Sequence, residues 1–98
     1  MPRREEILDS RAVVPDGVMS RAFEAELLML NLGTGTYHAV DATGARTLEL
    51  LGETGGDVRL AIDRLATEHG LTADEIADDL LDFLGKLVER GLLEVEPR

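Results

Sequence analysis

The strongest constraint on the fold is a change in the spacing of apolar residues near residue 41. Before it, Val18–Phe23 and Glu26–Leu32 read as strands, and Thr36–Val40 alternates its side chains between two faces. After it, apolar residues recur at helical spacing over three stretches between residues 41 and 90. The sequence therefore predicts an α+β domain: a three-stranded antiparallel sheet followed by three helices, an arrangement like that of a winged helix.

Turn signals separate the predicted strands. Gly33-Thr34-Gly35 is typical of a tight hairpin turn, because glycine tolerates the positive φ that such turns require. The same glycines do not form a phosphate loop, since they precede a strand and no Lys-Ser/Thr pair follows them. The link Phe23–Glu26 contains neither Gly nor Asn, so its turn type stays open.

Cap signals place the helices. Asp41 or Thr43 can cap the first helix, and Gly70 ends the second. Thr72 and Glu75 form a capping box for the third helix, which runs from about residue 73 to residue 90.

The third predicted helix is apolar over an unusually wide arc of about 160°. Asp78, Asp82 and Glu89 mark its solvent face. Such an arc indicates either burial against two elements or one edge left as a groove, and the spacing alone favours neither. The residues of the arc, in angular order, are Phe83, Ile76, Leu87, Leu80, Leu84, Ala77, Val88 and Leu81.

Composition limits the classes of protein that the chain can belong to. Its 98 residues form one domain, predicted over residues 15–95, after a charged, flexible N-terminal arm over residues 1–14. The net charge of −10 argues against nucleic acid. It fits an acidic surface that only keeps the chain in solution, and alternatively a partner that carries positive charge. The chain has no cysteine, no signal peptide and no apolar run long enough to cross a membrane. These features predict a cytoplasmic protein without a membrane partner.

No residue pattern points to catalysis. His38 lies in a predicted strand and His69 at a helix end, and no carboxylates near either are spaced as metal ligands. Ser10 and Ser20 have no evident base partner. We expect a protein that is not an enzyme and holds no cofactor or metal. A small hydrolase or metal protein is a poorly supported alternative.

The third predicted strand, residues 36–40, forms an edge of the sheet. No later segment obviously pairs with it, unless the C-terminal Leu92–Glu96 does. An open edge is either covered or used, and one use is to bind a peptide as an additional strand. The edge can also pair with a second copy of the chain, so a monomer and a homodimer both remain open.

Two segments resemble the PqqD-like family of peptide-recognition domains. Residues 26–51 ("ELLMLNLGTGTYHAVDATGARTLELL") are similar to its strand-turn-strand-helix signature, and residues 76–94 ("IADDLLDFLGKLVERGLLE") to its third helix. The resemblance implies a non-catalytic module that binds the leader segment of a ribosomally made precursor peptide and delivers it to a modifying enzyme or leader peptidase. His38 stands where the family often has an aromatic residue, and Thr47-Leu48 where it has an Ile-Trp-like pair, which loosens the assignment to a subfamily.

The resemblance also implies where the leader binds. It adds as a strand to the third strand and lies in the cleft between that strand and the third helix. Asp79 matches an aspartate of the family, and we expect it to pair with a basic leader residue. For Phe83 and Leu87, a place in the core is the alternative. The implied peptide-binding residues are Thr36, Tyr37, His38, Ala39, Val40, Ile76, Asp79, Leu80, Phe83 and Leu87.

The resemblance leaves the pathway open. Lasso-peptide systems pair such a free-standing domain with a separate leader peptidase, and this acidic, Leu-rich chain favours that type or a general modification chaperone. A chaperone for pyrroloquinoline quinone (PQQ) synthesis that acts with a radical SAM enzyme is one alternative. An acidic winged-helix regulator is another, although its third-helix acidic face opposes DNA.

Overall fold

The chain follows the predicted order of sheet and then helices. The computed structural model describes residues 3–24 and 26–97. The α+β fold, with a three-stranded antiparallel sheet followed by three helices, is confirmed, while the likeness to a winged helix stays a prediction. The elements are α1 (Arg4–Leu8), β1 (Ser10–Val13), β2 (Val18–Phe23), β3 (Glu26–Asn31), β4 (Tyr37–Val40), α2 (Ala42–Glu53), α3 (Val58–Glu68), α4 (Ala73–Glu89) and β5 (Glu94–Pro97).

The N-terminal segment differs from the flexible arm expected over residues 1–14. Residues 4–13 form α1 and β1, and Ile7 and Ala12 are buried in the core. β1 pairs antiparallel with the C-terminal β5, which makes a second, two-stranded sheet. Arg4 forms ion pairs with Asp78 and Asp82 on α4. The apolar side chains of this segment thus bury themselves against elements that lie far away in sequence. Residues 1 and 2 lie outside the described range.

The main sheet has the order β2-β3-β4, and its register decides which side chains share a face. His38 pairs with Met29, and Tyr37 with Leu30. Because strand side chains alternate, His38 and Val40 lie on the face that carries the buried Met29. Tyr37 and Ala39 lie on the opposite, outer face, as the alternation predicts.

Turns and caps follow the sequence signals closely. Asn31 accepts hydrogen bonds from the backbone N–H groups of Gly33 and Thr34, and Gly35 has a φ of +75°. Of the two candidate caps for α2, Asp41 is the one used, since its carboxylate accepts from the Gly44 N–H at 2.8 Å. Thr36, predicted as the first residue of the third strand, instead lies just before β4.

The helices α2, α3 and α4 pack around one apolar core. The capping box predicted at Thr72 and Glu75 is present at the start of α4. At the other end of α4, the Asn31 side chain donates a hydrogen bond to the Gly91 carbonyl at 2.8 Å. This bond fixes the end of α4 beside the end of β3, and it thereby sets how α4 lies against the sheet.

Candidate functional site: an open strand edge beside helix α4

The outer edge of β4 is open. Within residues 3–24 and 26–97, β4 pairs only with β3, and the C-terminal β5 pairs with β1 instead. The Asn31 N–H donates to the Thr36 carbonyl, so the residues of β4 that bond to β3 are His38 and Val40. The backbone N–H and C=O groups of Tyr37 and Ala39 therefore point away from β3. They offer two donors and two acceptors to an added strand.

One flank of α4 faces this edge. A Cβ built on Gly44 at the start of α2 would lie 2.5 Å from Val40 Cγ1 and 2.9 Å from Phe83 Cζ. The side chains of Val40 and Phe83 therefore meet over this glycine. On another side of α4, Asp78 forms an ion pair with Arg4 of α1, so that side faces α1 rather than β4. The wide apolar arc of α4 thus packs on two elements, and its Phe83 side is the one beside β4.

The predicted site residues fall into three groups by burial. Val40, Leu80 and Leu87 are buried in the core, Leu87 completely, so in this state they support the cleft from beneath. Thr36, His38, Ile76 and Phe83 are half-buried, while Tyr37, Ala39 and Asp79 are exposed. Ile76 and Asp79 lie on the same flank of α4 as Phe83, because residues three, four and seven positions apart share a helix face.

The two ends of the cleft differ in charge. Burial lowers the pKa of His38, and the positive charges of Arg90 and Lys86 lower it further. His38 is therefore neutral at pH 7 and lies near two cations. Asp79 is exposed on the more N-terminal part of α4. Since Phe83 meets Val40 and Arg90 lies near His38, α4 runs antiparallel to β4, and Asp79 lies beyond the Val40 end.

The outer face of the sheet carries apolar side chains that no described element covers. Tyr37 is 67% exposed, Met19 and Leu32 are each 59% exposed, and Phe23 is 52% exposed. Leu28 and Leu30 share this face by register and are half-buried. Exposed apolar surface of this kind on a small domain is typical of a protein interface. Met19 and Phe23 share one face of β2 because strand side chains alternate, whereas nothing in the residue spacing signals the close contact at Gly44.

The site is an open surface. A hollow of about 730 Å³ extends from the Asn31–Gly91 contact toward the C-terminal segment and the start of β2, and is lined by Val18, Asn31 and Leu93 among others. Among the described residues, no group of His, Asp or Glu side chains is arranged to hold a metal ion. No helix in the same residues is long and apolar enough to cross a membrane.

An open strand edge beside an apolar helix flank defines a small domain whose surface is suited to an added peptide strand. The chain belongs to the PqqD family, described as Coenzyme PQQ synthesis protein D, which matches residues 26–93. It is also similar to the solved structure "TbiB1 in Complex with the TbiA(beta) Leader Peptide", with a TM-score of 0.73 and 36% sequence identity. That likeness covers 83% of this chain and 93% of the other. No curated protein matches the chain significantly.

Proposed function

We propose that this protein is a leader-peptide-binding module. It captures a ribosomally made precursor peptide by strand addition at β4 and delivers it to a modifying enzyme or leader peptidase. The observation that carries the proposal is the open β4 edge beside the Phe83 flank of α4. Family membership and the leader peptide in the TbiB1 complex support it.

Strand addition uses the backbone for affinity and the side chains for selection. Tyr37 and Ala39 supply the outward N–H and C=O groups of the ladder. Each such hydrogen bond contributes about 0.5–1.5 kcal/mol, so a short ladder gives affinity without a deep pocket. Alternate side chains of the guest lie on the face of His38 and Val40, where they meet α4.

The helix supplies the other wall of the cleft. Phe83 and Ile76 are half-buried and offer apolar surface, and Asp79 offers a carboxylate to a basic guest residue. Leu80 and Leu87 act from the core by holding α4 in place. The guest thus binds between backbone groups on one side and side chains on the other.

The role is one of binding and presentation rather than catalysis. The enzyme acts in trans, and we propose that it docks on the outer apolar face defined by Met19, Phe23, Leu32 and Tyr37. That face is continuous with the β4 edge, so an enzyme on it lies next to the bound peptide. A second copy of the chain fits the face less well, because two chains of net charge −10 repel each other. We favour a lasso-peptide pathway with a separate leader peptidase.

The proposal is tested with the leader peptide of a short precursor, which is to be sought beside this gene. Fluorescence anisotropy of the labelled leader should show saturable binding. A proline placed in the leader's strand segment should abolish binding, because it removes a ladder donor. A leader with that proline outside the segment is the matched control. No binding of the unsubstituted leader at tens of micromolar would overturn the proposal.

A further inference from the structure

The end of α4 brings two cations to the start of β4. The hydrogen bond from Asn31 to the Gly91 carbonyl holds this end of the helix beside β3. Arg90 directly precedes Gly91, and Lys86 lies one turn earlier. Arg90 lies seven residues after Phe83 and Lys86 three residues after it, so both lie on the Phe83 flank. The helix end thus directs positive charge toward the His38 end of the cleft.

Within residues 3–24 and 26–97, neither of these two cations forms an ion pair. Arg4, Arg46 and Arg59 do form ion pairs with carboxylates, whereas several other described arginines, Arg64 among them, do not. The effect of Arg90 and Lys86 on His38 agrees with their position at the cleft. Arg90 is the larger influence of the two, and Lys86 also borders a hollow beside α1. In a chain of net charge −10, Arg90 and Lys86 place two positive charges at the proposed peptide site.

The opposite charges are spaced to match an extended peptide. Asp79 and Arg90 are eleven residues apart on α4, which is about 16 Å along the helix axis at 1.5 Å per residue. An extended strand rises about 3.3 Å per residue, so this length corresponds to about five residues. Two side chains on the same face of a strand are an even number of residues apart, so separations of four and six residues both bracket this length.

We propose that Arg90, assisted by Lys86, binds a carboxylate of the guest peptide at the His38 end of the cleft, and that this contact sets the guest's register on β4. The inference rests on the proposed function and names its substrate class. The guest is an extended peptide with an Asp or Glu about four to six residues from a Lys or Arg, the latter facing Asp79.

The register of the guest peptide on β4 requires a side-chain contact because the backbone hydrogen bonds alone do not fix it. A slip of one residue turns every guest side chain to the wrong face. A slip of two residues preserves the faces and the hydrogen bonds, and moves the peptide by about 7 Å. A carboxylate that moves this far loses its contact with Arg90, so the charge pair penalises the slip that the ladder allows.

The test compares two substitutions that change the net charge equally. Arg90→Glu lies in the cleft, and Arg64→Glu lies on the exposed side of α3 and also has no ion pair among the described residues. The probe is the labelled leader of the same precursor. Because single exposed ion pairs are weak, we expect Arg90→Ala to raise Kd about 2- to 5-fold, and the reversed charge of Arg90→Glu to raise it about 5- to 25-fold. Arg64→Glu should change it by less than about 2-fold. Circular dichroism establishes that each variant folds.

A charge exchange locates the contact. Replacing each leader Asp or Glu in turn with Lys should identify one position whose substitution weakens binding to the natural chain and restores it to Arg90→Glu. Equal weakening by Arg90→Glu and Arg64→Glu, or no restoring position, overturns the inference while leaving leader binding intact. Failure of the natural chain to bind the leader overturns the proposed function and the inference with it.

Discussion

The substitution Gly44→Ala tests how the sheet, α2 and α4 meet at the proposed site. Gly44 is the third residue of α2, and its N–H donates to the Asp41 carboxylate at 2.8 Å. Helix propensity alone favours alanine over glycine by about 1 kcal/mol. The added methyl group, however, would lie 2.5 Å from Val40 Cγ1 and 2.9 Å from Phe83 Cζ, whereas carbon atoms normally approach to about 3.5–4.0 Å.

The steric cost should exceed the gain in propensity. Val40 is only 2% exposed and its branched side chain has little rotational freedom, so relief requires a shift of α2 or of Phe83. Insertions of this size into a packed core cost about 1–3 kcal/mol. Since the gain in helix propensity is at most about 1 kcal/mol, we expect the free energy of unfolding to fall by about 1 kcal/mol. For a domain of this size, that loss lowers Tm by about 4–8 °C.

The same helix contains a matched control. Gly52, also within α2, has no atom within 4 Å of a built Cβ. Gly52→Ala should therefore stabilise the protein by about 0.5–1 kcal/mol. Thermal and urea unfolding followed by circular dichroism measure both variants. If Gly44→Ala and Gly52→Ala raise the free energy of unfolding alike, the close contact of Val40 and Phe83 over α2 is refuted.

Three further predictions concern charge, capping and docking. Folding lowers the pKa of His38 below its ordinary 6.5, so the unfolded chain binds more protons and stability falls as pH drops below about 6.5. His38→Gln should reduce the slope of the unfolding free energy against pH in this range, and an unchanged slope would contradict the lowered pKa of His38. Thr72→Ala removes the cap of α4 and should cost about 0.5–2 kcal/mol in urea unfolding, whereas no loss would show that the box is not formed. Met19→Glu should leave leader Kd unchanged and weaken enzyme binding in calorimetry, and undiminished enzyme binding would exclude the outer face.

Much of the architecture is encoded locally. The change from strand to helix spacing near Asp41, the turn at Gly35 and the cap at Thr72 each depend on neighbouring residues, and each appears in the structure as predicted. These signals concern backbone geometry within a few residues. They can therefore be interpreted from the sequence without knowing which elements pack against them.

The N-terminal segment shows where local signals end. The five-residue α1 and the four-residue β1 are too short to display a period, and β1 pairs with β5 at the other end of the chain. Ile7 is buried where α1 packs against α4, which also lies far away in sequence. No pattern within residues 1–14 encodes either contact.

The candidate site was predictable in outline and not in its details. The open edge followed from the order of the elements, because no later segment obviously pairs with residues 36–40. Which flank of α4 faces β4 could not be read from the arc, which is apolar on both sides. A contact at Gly44 and a hydrogen bond at Gly91 determine it. Both involve glycines, whose role depends on tertiary packing that the spacing of apolar residues does not report.

The most direct test of strand addition at β4 is a pair of proline substitutions at the two edges of one sheet. Ala39 is exposed on β4 and Ala22 is exposed on β2, and by the register the N–H of each points away from β3. Proline is tolerated at such edge positions, so both variants should keep the ladder to β3 and fold with similar stability.

The measurement is the Kd of the labelled leader for each variant. Ala39→Pro removes one ladder donor, worth about 0.5–1.5 kcal/mol, and its ring also obstructs the guest. We predict a loss of affinity of at least about 10-fold for Ala39→Pro and no change for Ala22→Pro. Equal affinities for the two variants, or a loss confined to Ala22→Pro, would contradict binding at β4.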